Sequence, residues 1–172
     1  MLKNASRSLN DGDFSRVGLV DGAGVTMSSG FPLAADFLLE VAGGRGFVGG
    51  TDPSWNFTAA LASIEHRGPD DGRLNLEGPV RVGFRRLSII DLDAAAMQPM
   101  FADDGGTWIV FNGEIYGFIA LRTELEKLGH AFRTHSDTEV LLRAYLEWGE
   151  NFIDHVDGMF AIALWDARDH KL

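Results

Sequence analysis

Seven consecutive uncharged residues near the end of the chain, Met159-Phe160-Ala161-Ile162-Ala163-Leu164-Trp165, read as a buried strand, which needs a neighbour on each side. Only Asp166 to Leu172 follow it, so the sheet is expected to be incomplete at its C-terminal end. Two helices are expected before it. Leu121, Leu125 and Leu128 recur at helical spacing ahead of Gly129, which is placed as a C-cap. Ser136 and Glu139 have the spacing of a capping box, and the apolar residues Val140, Leu141, Ala144 and Tyr145 carry the second helix to Gly149. Further upstream, Phe57, Leu61 and Ile64 suit a short helix that ends at the loop His66-Arg67-Gly68-Pro69-Asp70-Asp71-Gly72. Residues 80–84 alternate like a strand, and Leu87-Ser88-Ile89-Ile90-Asp91 and Trp108-Ile109-Val110-Phe111 are short apolar runs between polar turns. Residues 1–41 show no sustained period apart from Phe37-Leu38-Leu39-Glu40-Val41 and are expected to be a weakly structured extension of a domain spanning 42–172.

At 172 residues the chain is one ordinary domain or part of a larger one, and with 45% apolar residues it has enough to bury a core. Fifteen Lys and Arg against 25 Asp and Glu give a net charge of −10, which repels nucleic acid and anionic lipid. There is no cysteine, which excludes disulfides, thiolate metal sites and a cysteine nucleophile. No apolar stretch approaches the roughly 18 residues of a membrane span. Acidic residues interrupt the first apolar stretch after the N-terminus, so no export signal is read and the cytoplasm is the expected compartment.

Several short patterns admit more than one chemistry. Gly44-Arg45-Gly46-Phe47-Val48-Gly49 has the spacing of a dinucleotide-binding fingerprint, with Asp70 and Asp71 about twenty residues on. That fingerprint requires a helix to open inside it. Here Gly49-Gly50-Thr51-Asp52-Pro53 reads as loop, and the acids fall in a Pro-Gly turn. Asn112-Gly113 between apolar residues is a strong signal for a two-residue hairpin turn. It is equally a side-chain amide beside a glycine N–H, the pair an oxyanion hole uses. The five His residues show no ligand spacing with the acids, and no metal site is expected. Capping explains Ser136 and Glu139 and leaves Asp137 in a first helical turn, where a carboxylate suits the helix dipole or binds a cation such as an ammonium group.

In combination these segments resemble the N-terminal glutaminase domain of glutamine-dependent asparagine synthetases, a class II glutamine amidotransferase of the N-terminal-nucleophile (Ntn) fold. The resemblance rests on the 66–72 loop, Arg85-Arg86-Leu87-Ser88-Ile89-Ile90-Asp91, Gln98-Pro99-Met100 and Phe111-Asn112-Gly113-Glu114-Ile115-Tyr116. It continues through Ser136-Asp137-Thr138-Glu139-Val140-Leu141-Leu142, and through Gly158-Met159-Phe160-Ala161 with Leu164-Trp165-Asp166. It implies an α+β fold, the four-layer αββα sandwich, truncated at its C-terminus. It implies that Arg86 binds the α-carboxylate of L-glutamine and Asp137 its α-ammonium, with Leu87, Ile89, Ile90 and Glu114 lining the pocket. Asn112 and Gly113 would hold the oxyanion.

The family pattern is broken at its start. The resemblance puts the family's N-terminal cysteine nucleophile at Ala42, and neither cysteine, serine nor threonine occurs from Ala42 to Gly50. The resemblance therefore implies a retained glutamine pocket without glutaminase activity. Phe84 stands where the family usually has His, and Gly117 where it has Asn. The ATP-binding Ser-Gly-Gly-x-Asp-Ser loop of the family's synthetase domain is absent, so no cofactor is expected on this chain, and ATP and magnesium belong to that other domain. The implied partner is a synthetase domain or subunit. The alternative is a non-catalytic module that senses glutamine or docks on a synthetase.

Overall fold

Two antiparallel sheets, three α-helices and two 3-10 segments (Glu65–Arg67 and Gly149–His155) are formed by the described residues of the computed structural model, 37–41, 45–50, 56–86 and 96–172. The first sheet holds β1 (Phe37–Val41), β2 (Arg45–Gly50), β3 (Asp71–Asn75) and β4 (Arg81–Arg86) in the order β1-β2-β4-β3. The second holds β5 (Met100–Phe101), β6 (Trp108–Tyr116) and β7 (Asp157–Trp165) in that order. The apolar run at 159–165 is a strand and pairs with β6 from Trp108 opposite Trp165 to Tyr116 opposite Asp157, but it is not the buried strand expected: among the described residues it has one partner, and only Ala161 and Trp165 of the run are buried.

Alternation along β6 divides the core in two. Ile109, Phe111 and Ile115 face α2 (Phe118–Lys127) and α3 (Asp137–Trp148), where they meet Leu121, Leu125, Val140, Leu141 and Tyr145. Trp108 and Val110 point the other way and pack on Val82 and Phe84 of β4, together with Ala161 and Trp165 of β7. The inner faces of the two sheets therefore close on each other. The third helix, α1 (Phe57–Ser63), begins at Asn56, whose side chain accepts from the Ala59 N–H at 2.9 Å. Phe57 and Ala60 pack with Ile64 and with Leu74 of β3. Leu74 is opposite Gly83, so α1 covers the face of the first sheet turned away from Val82 and Phe84.

Several expectations are corrected. Phe37–Val41, placed by sequence in the weakly structured extension, form β1, because β2 supplies a partner in register from Phe37 opposite Gly49 to Val41 opposite Arg45. Gly49 and Gly50, read as loop, belong to the strand Arg45–Gly50 between β1 and β4, and no helix opens within the glycine pattern there. Asp71, read as loop, opens β3 opposite Arg86. The helix expected around Leu121, Leu125 and Leu128 begins at Phe118. Gly117 is left-handed (φ 67°, ψ 17°) and turns the chain from β6 into α2 in one residue. Leu128, and not Gly129 as expected, is the C-cap of α2, and Gly129 follows it at a positive φ of 101°. The expected strand at 87–91 and the remaining residues of the extension lie outside the described residues.

The end of β7 is tied to α3 by a buried carboxylate. Asp166 accepts from the Tyr145 hydroxyl at 2.9 Å and from the Arg168 Nε, Nη2 and main-chain N–H at 2.9, 2.6 and 2.8 Å. These donors, Arg168 first, hold the Asp166 carboxyl well below the usual carboxylate range, while burial and the neighbouring Asp166 charge push the Tyr145 hydroxyl up. Stability from a depressed carboxyl is complete above its unfolded value near pH 4 and is lost as pH falls toward the folded one. Asp166→Asn is expected to cost about 1–2 kcal/mol at pH 7, since Arg168 is half exposed and screened. Urea melts at pH 7 and pH 3 check this: the native chain should lose more stability between them than the variant.

No helix among the described residues is long and apolar enough to cross a membrane.

Candidate functional site

Asn112 and Gly113 lie inside β6, opposite Ala161 and Phe160, and so do not form the hairpin turn that their local signal favours. A strand partner distant in sequence outcompetes the two-residue turn. Asn112 has the same parity as Trp108 and Val110, which puts it on the face between the sheets, where it is 1% exposed. Glu114 continues that series and is exposed beside Met159, where the apolar filling between the sheets ends. Gly113 has φ 148°, and a Cβ there would collide with the Met159 carbonyl oxygen and with Phe160.

On the first sheet, Arg86 ends β4 in the same parity as Val82 and Phe84 and is buried at 8% exposure. Its main-chain carbonyl accepts from the Asp70 N–H at 3.1 Å, and Pro69 bridges to it. The 66–72 loop therefore fixes the end of β4 with its backbone. His66, Asp70 and Asp71 are exposed, and among the described residues no group of three acidic or His side chains is arranged to hold a metal ion.

Asp137 is the first residue of α3 and is 2% exposed, with Oδ1 accepting from the Thr138 N–H at 2.9 Å. Ser136 caps the helix as expected, its Oγ accepting from the Thr138 N–H at 3.1 Å. Glu139 does not close the expected capping box. Its buried carboxylate instead accepts from the Arg133 N–H at 3.0 Å and from the Thr134 N–H and hydroxyl, both at 2.7 Å, while Thr134 Oγ1 accepts from the Ser136 N–H at 3.2 Å. The turn leading into Asp137 is thus wired to the helix that it opens.

One side chain joins β6 to this helix start. Gln98, 2% exposed, accepts from the Phe111 N–H at 2.5 Å through Oε1 and donates to Thr138 Oγ1 at 3.1 Å through Nε2. Asn112 and Asp137 are each one residue from an end of that bridge. Gln98 was legible only as part of the Gln-Pro-Met motif, since its contacts depend on register and not on local pattern. Four of the expected site positions, Ala42, Leu87, Ile89 and Ile90, lie outside the described residues.

The chain belongs to the glutamine amidotransferase domain family, which matches residues 41–172. Over 109 residues it is 49% identical to asparagine synthetase [glutamine-hydrolyzing] 1 of Bacillus subtilis, covering 63% of this chain and 17% of that protein. It is 42% identical over 107 residues to asparagine synthetase [glutamine-hydrolyzing] 1 of Lotus japonicus, covering 62% of this chain and 18% of the relative. The chain thus spans less than a fifth of the length of these curated relatives. Among solved structures, the glutamine phosphoribosylpyrophosphate amidotransferase of B. subtilis aligns with a TM-score of 0.44 at 25% identity, over 51% of this chain and 21% of that one.

Proposed function

We propose that this domain recognises L-glutamine between its two sheets, as the glutaminase part of an asparagine-synthetase system, and that it does so without hydrolysing it. The placement of Arg86 and Asn112 on the facing sides of the two sheets, with Asp137 buried at the start of α3, carries this reading in a chain of the glutamine amidotransferase family. Arg86 offers a planar fork of donors to the α-carboxylate. Asp137 takes the α-ammonium, and the Asn112 amide with the Gly113 N–H polarises the side-chain carbonyl. The resemblance assigns Leu87, Ile89, Ile90 and Glu114 to the same pocket. The packing order of helices α2 and α3, the β5–β7 sheet, the β1–β4 sheet and α1 supports the αββα sandwich of Ntn hydrolases as the fold.

The chain contains no cysteine, so the thiolate that would attack the polarised amide is absent, and Ala42 at the aligned position carries only a methyl group. Loss of a nucleophile costs on the order of a million-fold in rate. Asparagine formation, with its ATP and magnesium, is the work of a synthetase domain or subunit that this domain accompanies.

A thermal melt of the chain tests the pocket, since a ligand that binds only the native state raises its stability by RT ln(1 + [L]/Kd). The midpoint should rise with millimolar L-glutamine and not with L-glutamate, and glutamate release should stay at background. A midpoint indifferent to glutamine would refute the pocket.

A further inference from the structure

The Gln98-Pro99-Met100 motif has no part in the pocket proposed above, yet Gln98 is among the most deeply buried polar side chains described. Strand β5 is two residues long, and its pairing of Met100 with Ile109 and Phe101 with Trp108 places Gln98 opposite Phe111. The side-chain carbonyl of Gln98 accepts the Phe111 N–H there, so a side chain continues the ladder where the β5 main chain has left it. The same amide then donates to Thr138 at the start of α3. Each end of the amide has a partner, and because the Phe111 main-chain N–H can only donate, the oxygen faces Phe111 and the nitrogen faces Thr138.

We infer that Gln98 is a positioning residue, whose side-chain amide sets the distance between the oxyanion-polarising segment Asn112-Gly113 and the ammonium-binding residue Asp137. Alternation in an antiparallel ladder sends the N–H of Gly113 to the same edge of β6 as that of Phe111. Gln98 occupies the inner of these two donors and leaves the outer one for a ligand. Its other end grips Thr138, so the carboxylate of Asp137 and the donor of Gly113 are referred to one rigid planar group. A ligand with an ammonium at one end and an amide carbonyl at the other is measured against that spacing. The role rests on the glutamine reading above and deepens it.

Titration calorimetry of the full chain with L-glutamine tests it through Thr138, which is fully buried and of nearly the same volume as valine. Thr138→Val keeps the packing and removes the acceptor, and should weaken glutamine binding about tenfold, whereas Thr138→Ser restores the hydroxyl and should stay within about threefold of the native chain. Gln98→Leu should weaken binding at least as much as Thr138→Val. Each is titrated well below its own melting midpoint, and Thr138→Val carries the test if Gln98→Leu does not fold. A folded Thr138→Val that binds glutamine as tightly as the native chain overturns the positioning role and leaves the pocket standing. Thr138→Ser as weak as Thr138→Val also overturns it, because packing and not the hydroxyl would then be responsible. A native chain that binds no glutamine overturns the pocket itself, and the role of Gln98 with it.

Discussion

Replacing Gly113 by alanine is expected to destabilise the domain by about 3 kcal/mol or more, roughly 10 °C in the melting midpoint, and to remove glutamine binding. Two costs coincide at this position. The φ of 148° is in a region that L side chains rarely adopt, and an added Cβ would collide with the Met159 carbonyl oxygen and Phe160 across the β6–β7 ladder. Neither can be relieved locally, because the register is continuous from Trp108 to Tyr116 and any outward shift of β7 opens the packing between the sheets. The control is Gly117→Asn. Gly117 is left-handed too, but nothing lies within 4 Å of its added Cβ, and asparagine is the side chain that best tolerates this conformation. Its melt should stay within about 0.5 kcal/mol of the native one. An alanine at 113 that melts like the native chain would show that β6 and β7 do not approach as closely as described.

The same position shows where local reasoning from sequence stops. Helices α2 and α3 are legible because their signals are local: leucines at helical spacing, a serine cap, and a glycine past the end. The C-cap falls one residue early, at Leu128 and not Gly129, because local spacing marks the end of a helix less sharply than its body. Strand β6 is legible only to Phe111, since Asn-Gly is locally a turn and the residues that pair with it, Ala161 and Phe160 of β7, lie far along the chain. Strand β2 hides behind its glycines, and β3 begins within a Pro-Gly loop, so both owe their structure to neighbours rather than to propensity. At the candidate site, Asp137 is visible from the residues as a helix-start carboxylate. Arg86 comes from the resemblance alone. Gln98 and Glu139 have roles that no spacing reveals, because one is defined by strand register and the other by a loop folded back on its own helix.

Asp137→Asn is expected to weaken L-glutamine binding by about a hundredfold or more, the loss that follows when one partner of a buried charge pair is removed. The substitution preserves shape, and its carbonyl oxygen can still accept from the Thr138 N–H that Asp137 Oδ1 now holds at 2.9 Å. Loss of the charge at the start of α3 should itself cost only about 0.3–1 kcal/mol through the helix dipole, and the fold should persist. A ligand without the α-amine separates ammonium recognition from a general disturbance of the pocket. 4-Carbamoylbutanoate keeps the carboxylate and the amide of glutamine, so it retains what Arg86, Asn112 and Gly113 recognise and lacks what Asp137 recognises. The native chain should bind it far more weakly than glutamine, and Asp137→Asn should bind it as the native chain does, because this ligand has no ammonium for the carboxylate to hold. Calorimetric titrations of both chains with both ligands decide the matter. If Asp137→Asn weakens the two ligands equally, the carboxylate supports the pocket wall and does not face the ammonium, and the direction proposed for glutamine between the sheets is wrong.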